Sequence, residues 1–565
     1  MTSFNQVDKL NRYYHDVKNI ILSRQDWISG LLPASTAVTN HGNYTDAWVR
    51  DNVYSILAAW GLALAYRKFP EQHDRTYELE QSVVKLMRGL LIAMMRQANK
   101  VEKFKHTQEP LDALHAKYNT QTGAIVVGDN EWGHLQLDAT SLFLLMLAQM
   151  TASGLRIVFT IDEVNFVQNL VHYISRAYRT PDYGIWERGN KMNHGIAELN
   201  ASSIGMAKAA LEAMVDCNLF GKDGGQTSLL HVISDDIART RIALESLLPR
   251  ESNSKEVDSA VLSITGYPAF AVDNPLLREK TETLIIRKLQ GRYGCKRFLL
   301  DGHQTLLEDP HRLHYEPHEL KQFMDIECEW PLFFCYLLLN HIFAGNKEEA
   351  EDYRRRLESL LVEQNGQQLL PELFIVPNDA IAAEKLHPHS QTRVANENIP
   401  LVWAQSLFIL SGLLQHDLIT LDDIDPLGRY KTSAKQLGGS RLQIALLAED
   451  ESVQQQLKEL DFSAQTLVEI APIQVRDAAE LAEAYTHVGR NDRIGLTGRP
   501  RRQLRTLATS RLYVLAGESL IFLPQFMNQK GFYIAMDNRL LIQRLRLELA
   551  YISRHWDSSA PPLLV

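Results

Sequence analysis

Apolar residues return every third or fourth position over long stretches of the chain up to residue 422. Val83–Met95 shows this helical period most clearly. The same reading predicts amphipathic helices at Val7–Ser23, Asp46–Phe69, Tyr77–Gln97, Gln136–Gly154, Ile161–Tyr178, Ala201–Met214, Ser228–Leu248, Pro331–Phe343, Glu348–Glu363 and Val402–Gln415. The segments between them are loop-like, and several gather Gly, Asn, His, Trp and acidic residues together. Long helices alternating with polar loops, with little strand signal, predict helices paired around a central axis. A short-period repeat is absent, which disfavours a solenoid.

The pattern changes after Asp423–Ser440, a Pro/Gly/Lys-rich stretch that reads as a boundary. Beyond it, Leu442–Leu447, Thr466–Val475, Leu512–Leu515 and Leu520–Pro524 read as short strands. Glu451–Leu460, Ala478–Val488 and Asn538–His555 read as helices. The expected organisation is a helical barrel over 1–422, a linker over 423–440 and a small α/β domain over 441–565. Arg499, Arg501, Arg502 and Arg505 form a basic run there. A solvated or charge-paired surface is favoured over an anion site.

Composition narrows the class. Of 565 residues, 45% are hydrophobic and 22% charged, which suits a large buried core. The net charge of −9 speaks against nucleic acid or anionic lipid as a partner. The four cysteines, Cys217, Cys295, Cys328 and Cys335, form no CxxC pair and no zinc spacing, so neither a disulfide framework nor a metal is expected. The polar N-terminus lacks a signal-peptide pattern, and no apolar run is long enough to span a membrane. The expected location is the cytoplasm.

Three loops stand out chemically. Tyr44, Trp48, Arg50 and Asp51 open a helix with a flat apolar face, a donor fork and an acceptor, the mixture that a sugar's ring face and hydroxyl rim require. An ordinary helix start with Asp51 in its first turn explains the same residues. Trp132 and Asp138 form a second cluster of this kind. In the third, Glu187 lies beside Trp186 and Arg188. A carboxyl against an aromatic wall is poorly hydrated and suits a general acid, while a surface pair with Arg188 is the plain alternative. Glu372, Glu327 and Glu329 are candidates for a second carboxylate, and periodicity does not choose among them.

These motifs resemble the glucoamylase family, glycoside hydrolase family 15. Tyr44, Trp48, Arg50 and Asp51 match its first loop; Trp132, Gly133, Gln136 and Asp138 its second; Trp186 and Glu187 its general-acid loop; Glu372 and Trp403 its base and following element. The resemblance implies an (α/α)6 barrel with a pocket at one end of the inner helices. The chain resembles the α and β regulatory subunits of phosphorylase kinase more closely. DAWVRDNVYSILAAWGLALAYRK, VVGDNEWGHLQLDATS, GIWERGNKMNHGIAELNASS, GRYGCKRF, IECEWPLF and LLPELFIVP carry that likeness across roughly residues 7 to 557. Those subunits run to about twice this length, with calmodulin-binding segments and a prenylation motif. Neither feature is implied here, since no Cys lies near Val565. Arg188 stands where a glucoamylase often has an acid, and Lys191–Glu198 also departs from its pattern.

The main expectation from this resemblance is an inverting, exo-acting α-glucoside hydrolase that releases β-glucose from short α-glucosides or glucan ends. Glu187 is its acid and Glu372 its base, with the two carboxyls roughly 6.5–9.5 Å apart to admit a water. Arg50 and Asp51 would hold hydroxyls, and Trp48, Trp132, Trp186 and Trp403 would wall the pocket with Tyr44. Asp138, Glu327 and Glu329 are further candidates for hydroxyl contacts or for tuning Glu187, and Arg188 is a candidate substrate contact. No cofactor is needed. The alternative is a catalytically silent carbohydrate-sensing regulatory subunit, because fold and function are separable. A homo-oligomer or a regulatory partner protein fits either reading, and the helices Trp330–Gly345 and Asn538–His555 are faces such a partner could use. A ligand-free scaffold is disfavoured by the density of Trp-plus-acid loops.

Overall fold

The computed structural model describes residues 2–35, 38–39, 42–187, 193–312, 314–433, 442–515, 517–524, 526, 537–556 and 560–565. The chain divides into two compact units, one of residues 1–231 with 240–434 and one of residues 232–239 with 435–565.

In the first unit helices alternate between two concentric layers. The inner layer holds Val49–Ser55 continued by Leu57–Tyr66, then Leu137–Ala152, Ala201–Met214, Leu262–Thr265, Leu332–Ala344 and Val402–Gln415. Each of these packs on the next, and Val402–Gln415 returns to Val49–Ser55, so the ring closes. The outer layer holds Thr2–Asp16, His73–Met95, Ile161–Ile174, the part of Ser234–Leu247 from Thr240 on, Pro275–Leu289 and Lys347–Ser359. The architecture is an (α/α)6 barrel.

Burial explains which helix takes which layer. Every residue of Leu57–Tyr66 is buried, as are Leu137–Thr151 and all but one of Ala201–Met214. A helix apolar on all sides must be surrounded by protein. His73–Met95 instead buries one stripe, with Leu79, Val83, Leu86, Met87, Leu90, Leu91 and Met94 at three- and four-residue steps. Inner helices approach closely where side chains are small. A Cβ on Gly205 would come within 2.4 Å of Ile264, its neighbour in the ring.

Some expectations about helices need correction. Asp46–Phe69 is two helices broken at Ile56, and Pro275–Leu289 is a helix that periodicity missed. The latter buries only Thr281, Ile285 and Leu289, a stripe too narrow to stand out. Its start was legible: Asn274 caps Leu276 N and Leu277 N through its side chain, followed by Pro at the first helical position. The expected linker also begins too early. Leu421–Ile424 and Arg429–Ser433 are short helices of the first unit, where Arg429 donates to Ala269 O and pairs with Glu212 at 3.0 Å. Residues 434–441 lie outside the described residues.

The second unit pairs Gln474–Arg476 in parallel with Glu518–Phe522, which runs antiparallel to Tyr513–Leu515. Its core packs Ile233 on Leu481, Leu504, Ala508 and Phe522, and Ala238 on Leu507, Ile552 and Trp556. Of the basic run, Arg499 is buried and Arg501 faces Glu483 at 3.5 Å, so these arginines do not form one open patch. The helix Trp330–Gly345, open in the sequence to a partner-face or a core reading, buries Leu332–Leu339 in the barrel core.

Candidate functional site

The loops that run from an outer helix into the next inner helix all emerge at the N-terminal ends of the inner ring. They enclose a cavity of about 450 Å³. Helix N-termini carry partial positive charge, so this end favours acceptors and anions.

Each wall has a local cause. Ala47–Trp48 pairs antiparallel with Lys117–Tyr118, which sets Trp48 opposite Lys117 and puts the Lys117 ammonium 4.4 Å from the Trp48 ring centre. The same ammonium lies 5.1 Å from the Trp132 ring, so two aromatic walls share one cation. Asn52, one helical turn on, donates to Trp48 O and exchanges bonds with the Leu32 backbone, fixing the turn into the helix. Arg50 and Asp51 follow in that first turn. Trp186 is held by its indole N–H on Asp258 at 2.8 Å, and its loop is clamped by the paired backbones of Asp182 and Glu198. Trp403 stacks on Tyr54 at 4.7 Å and 9°.

Glu187 ends the described part of its loop with φ of +59°, a left-handed conformation that costs a non-glycine residue energy and recurs at functional positions. Burial pushes its carboxyl up from the ordinary range, opposed by Arg50 and Lys117 and by the Trp132 and Trp48 indoles. Burial likewise pushes Asp51 up to about 7; Arg50 opposes this, while Glu187 and Glu372 add to it. Tyr44 sits well above its ordinary value through burial and the nearby Glu372. Across the cavity, one oxygen of Glu372 accepts from three amides: Gln304 at 3.2 Å, Asn396 at 2.6 Å and Asn398 at 2.7 Å. That oxygen has no lone pair left over for water.

Of the residues singled out in the sequence, Tyr44, Trp48, Arg50, Asp51, Trp132, Trp186, Glu187, Glu372 and Trp403 line this one cavity. Three others do not. Asp138 stands behind Arg50, which it grips with both oxygens at 2.6 and 3.0 Å. Glu327 pairs with Lys296 at 2.7 Å and accepts from Leu300 N. Glu329 accepts from Tyr293 N at 2.7 Å and pairs with Arg393 at 3.0 Å, filling a space open only because Gly291 has no Cβ. Each is a buried carboxylate with its own cation and braces the loops instead of facing a ligand. Arg188 lies outside the described residues.

Sequence reading missed Arg297. It lines the cavity, with its guanidinium 4.8 Å from the Trp186 ring centre and 5.4 Å from that of Trp330, and is held by Asp301 at 2.6 Å. It lies in the GRYGCKRF segment, but nothing local marks it as a cavity residue, because Trp186 and Trp330 come from distant loops. His303, Gln304, Asn396 and Asn398 were missed for the same reason. The arrangement offers fixed donors, acceptors and aromatic faces around one half-open space.

A closed (α/α)6 ring with this pocket defines a glucoamylase-type barrel, and the chain belongs to glycosyl hydrolases family 15, whose pattern matches residues 7–520. Its relatives include a probable phosphorylase b kinase regulatory subunit alpha of Drosophila melanogaster, 52% identical over 560 residues. The skeletal muscle isoform of that subunit from Oryctolagus cuniculus is 51% identical over 561 residues. Each alignment covers 98% of this chain but 44% and 45% of the relative, so the chain spans less than half their length. A solved glycosidase shares the fold at a TM-score of 0.50 and 16% identity, covering 72% of this chain and 97% of its own.

These relatives correct the expectation of an inverting α-glucoside hydrolase. Proteins matching at half identity are named as regulatory subunits of a kinase, not as hydrolases. The likeness to glycosidase structures, at 16% identity, carries the fold alone. Retention of Glu187 and Glu372 misled the sequence reading: a barrel can keep a pocket's carboxylates for binding after turnover has been lost.

Proposed function

We propose that this chain is the sugar-sensing part of a regulatory subunit, binding a short α-glucan end or glucoside without hydrolysing it and reporting occupancy to a kinase-type partner. The observation that supports this most is the pairing of an intact polyol-type cavity with half-identical relatives named as regulatory subunits. Arg50 and Asp51 hold hydroxyls of the terminal sugar, Trp48, Trp132, Trp186 and Trp403 offer ring faces, and Arg297 adds a further donor. The ligand-binding barrel is the first unit, residues 1–231 with 240–434, and the second unit is a separate domain. No helix of the described residues is long and apolar enough to cross a membrane. The cysteines are free thiols, which fits the cytoplasm as the location.

The test is calorimetric titration with glucose, maltose and maltotriose, with proton NMR of the same mixtures. The reading expects binding of at least one sugar, weakened in Arg50→Gln, and no released β-glucose. Steady glucose release by wild type, or heats no greater than dilution for every sugar, defeats it.

A further inference from the structure

Among the described residues, one group at the edge of the cavity gathers metal-type ligands. His194, His314 and Glu316 are all exposed, and their donor atoms lie within 4.8 Å of one another. His194 belongs to the loop that follows Glu187 and lies at the cavity rim, beside Gly195. His314 and Glu316 belong to the loop that also supplies Glu308, Pro310 and Arg312 to that rim. The two imidazole rings stand 4.4 Å apart, tilted at 54°.

We propose that His194, His314 and Glu316 form a binding site for a divalent transition metal ion of the zinc class, which ties the two rim loops together at the cavity mouth. The donor set is two imidazoles and one carboxylate, which suits zinc and leaves a fourth position for water. Neighbouring donors on a tetrahedral zinc stand about 3.3 Å apart, given bonds of about 2.0–2.1 Å. Exposed side chains on these loops reach that spacing by rotation.

The loops are braced in a way that keeps the ligands together. Tyr315 is buried between His314 and Glu316 and packs on Leu320 and Phe323. With the middle residue turned inward, its two neighbours face outward on the same side. Tyr315 also accepts from Asp309 N, lies under the Arg312 guanidinium at 4.2 Å, and is followed by a Glu316 N–H bonded to Glu319. Arg312 closes the frame with a two-pronged pair to Glu319 at 2.7 and 2.8 Å. On the other loop, the Asn193 side chain and the Ile196 backbone N–H close a turn around His194. Pre-organised ligands lose less freedom on binding, which raises metal affinity. The site stands apart from the sugar reading and survives if that reading fails.

The test strips the chain with a chelator and titrates zinc against a chromophoric competitor. One equivalent is expected to bind, with affinity falling at least tenfold in His194→Ala and in His314→Ala and unchanged in His106→Ala, an exposed histidine elsewhere. Cobalt in place of zinc is expected to give a visible absorption band that disappears in His314→Ala. Hydrogen exchange is expected to slow over 193–200 and 309–320 when zinc is added. Unchanged affinity in both histidine variants, or binding abolished by alkylating the cysteines and not by those variants, overturns the proposal, as does wild-type protein that holds no zinc.

Discussion

Single residues set the electrostatics of the cavity. Asp51 is buried beside Arg50, whose guanidinium is already gripped by Asp138, and burial raises the Asp51 carboxyl to about 7. The folded value lies above the unfolded one, so its contribution to stability is full below about pH 3.9 and is lost as pH rises through about 7. A sugar hydroxyl donating to the ionised carboxylate offsets that loss, since charge-assisted bonds are the stronger ones. Sugar affinity is therefore expected to rise from about pH 6 to about pH 8 and to become flat in Asp51→Asn, read by calorimetry across that range. Asp138 answers for Arg50 in a different way. Asp138→Ala leaves a buried guanidinium without its partner, which is expected to cost about 3–5 kcal/mol in urea unfolding and to abolish sugar binding. A substitution at Glu327 would report on loop bracing, because its partners are Lys296 and the Leu300 backbone.

At the scale of elements, close packing of the inner ring gives the most direct prediction. Gly205 faces the body of Ile264, whose Cβ stands only 3.0 Å from where a Gly205 Cβ would be. Gly205→Val is expected to destabilise by about 1–3 kcal/mol through overpacking, seen as a lower denaturation midpoint with an unchanged slope. The cap of Pro275–Leu289 is a milder case. Asn274→Ala is expected to cost about 1 kcal/mol, because two backbone N–H groups lose their acceptor. The inner helices were legible because their apolar residues occupy every face. Leu262–Thr265 was not, since four residues are too few to show a period. The break at Ile56 left no mark either, because apolar residues continue on both sides of it.

For the molecule as a whole, ligand binding and folding are linked. A sugar that binds only the folded barrel adds about 2.7 kcal/mol at one hundred times its Kd. A concentration-dependent rise in Tm is expected with the sugar that binds, and Glu187→Gln is expected to keep that rise. Loss of the rise in Arg50→Gln with the fold intact would locate the ligand in this cavity. The hydrolase expectation failed at this scale. Glu187 and Glu372 are both present in the cavity wall, yet relatives at half identity are regulatory. The chemistry of two side chains does not report what a lineage has done with them.

The periodicity of Val83–Met95, the uniformly apolar inner helices and the Trp-plus-acid loops were readable from the sequence because each depends on neighbours within a few positions along the chain. They predicted helices paired around an axis and, with the family resemblance, the barrel and the candidates Trp48, Arg50, Asp51 and Glu187. Which carboxylate faces the cavity was decided by tertiary structure. Glu372 reaches it, while Asp138, Glu327 and Glu329 turn toward Arg50, Lys296 and Arg393. The same holds for Arg297 between two tryptophans and for His194 beside His314, residues brought together by a ring of six helices closing on itself. A buried charge settles on the nearest opposite charge, and which one is nearest is a property of the closed ring that no local stretch of sequence contains.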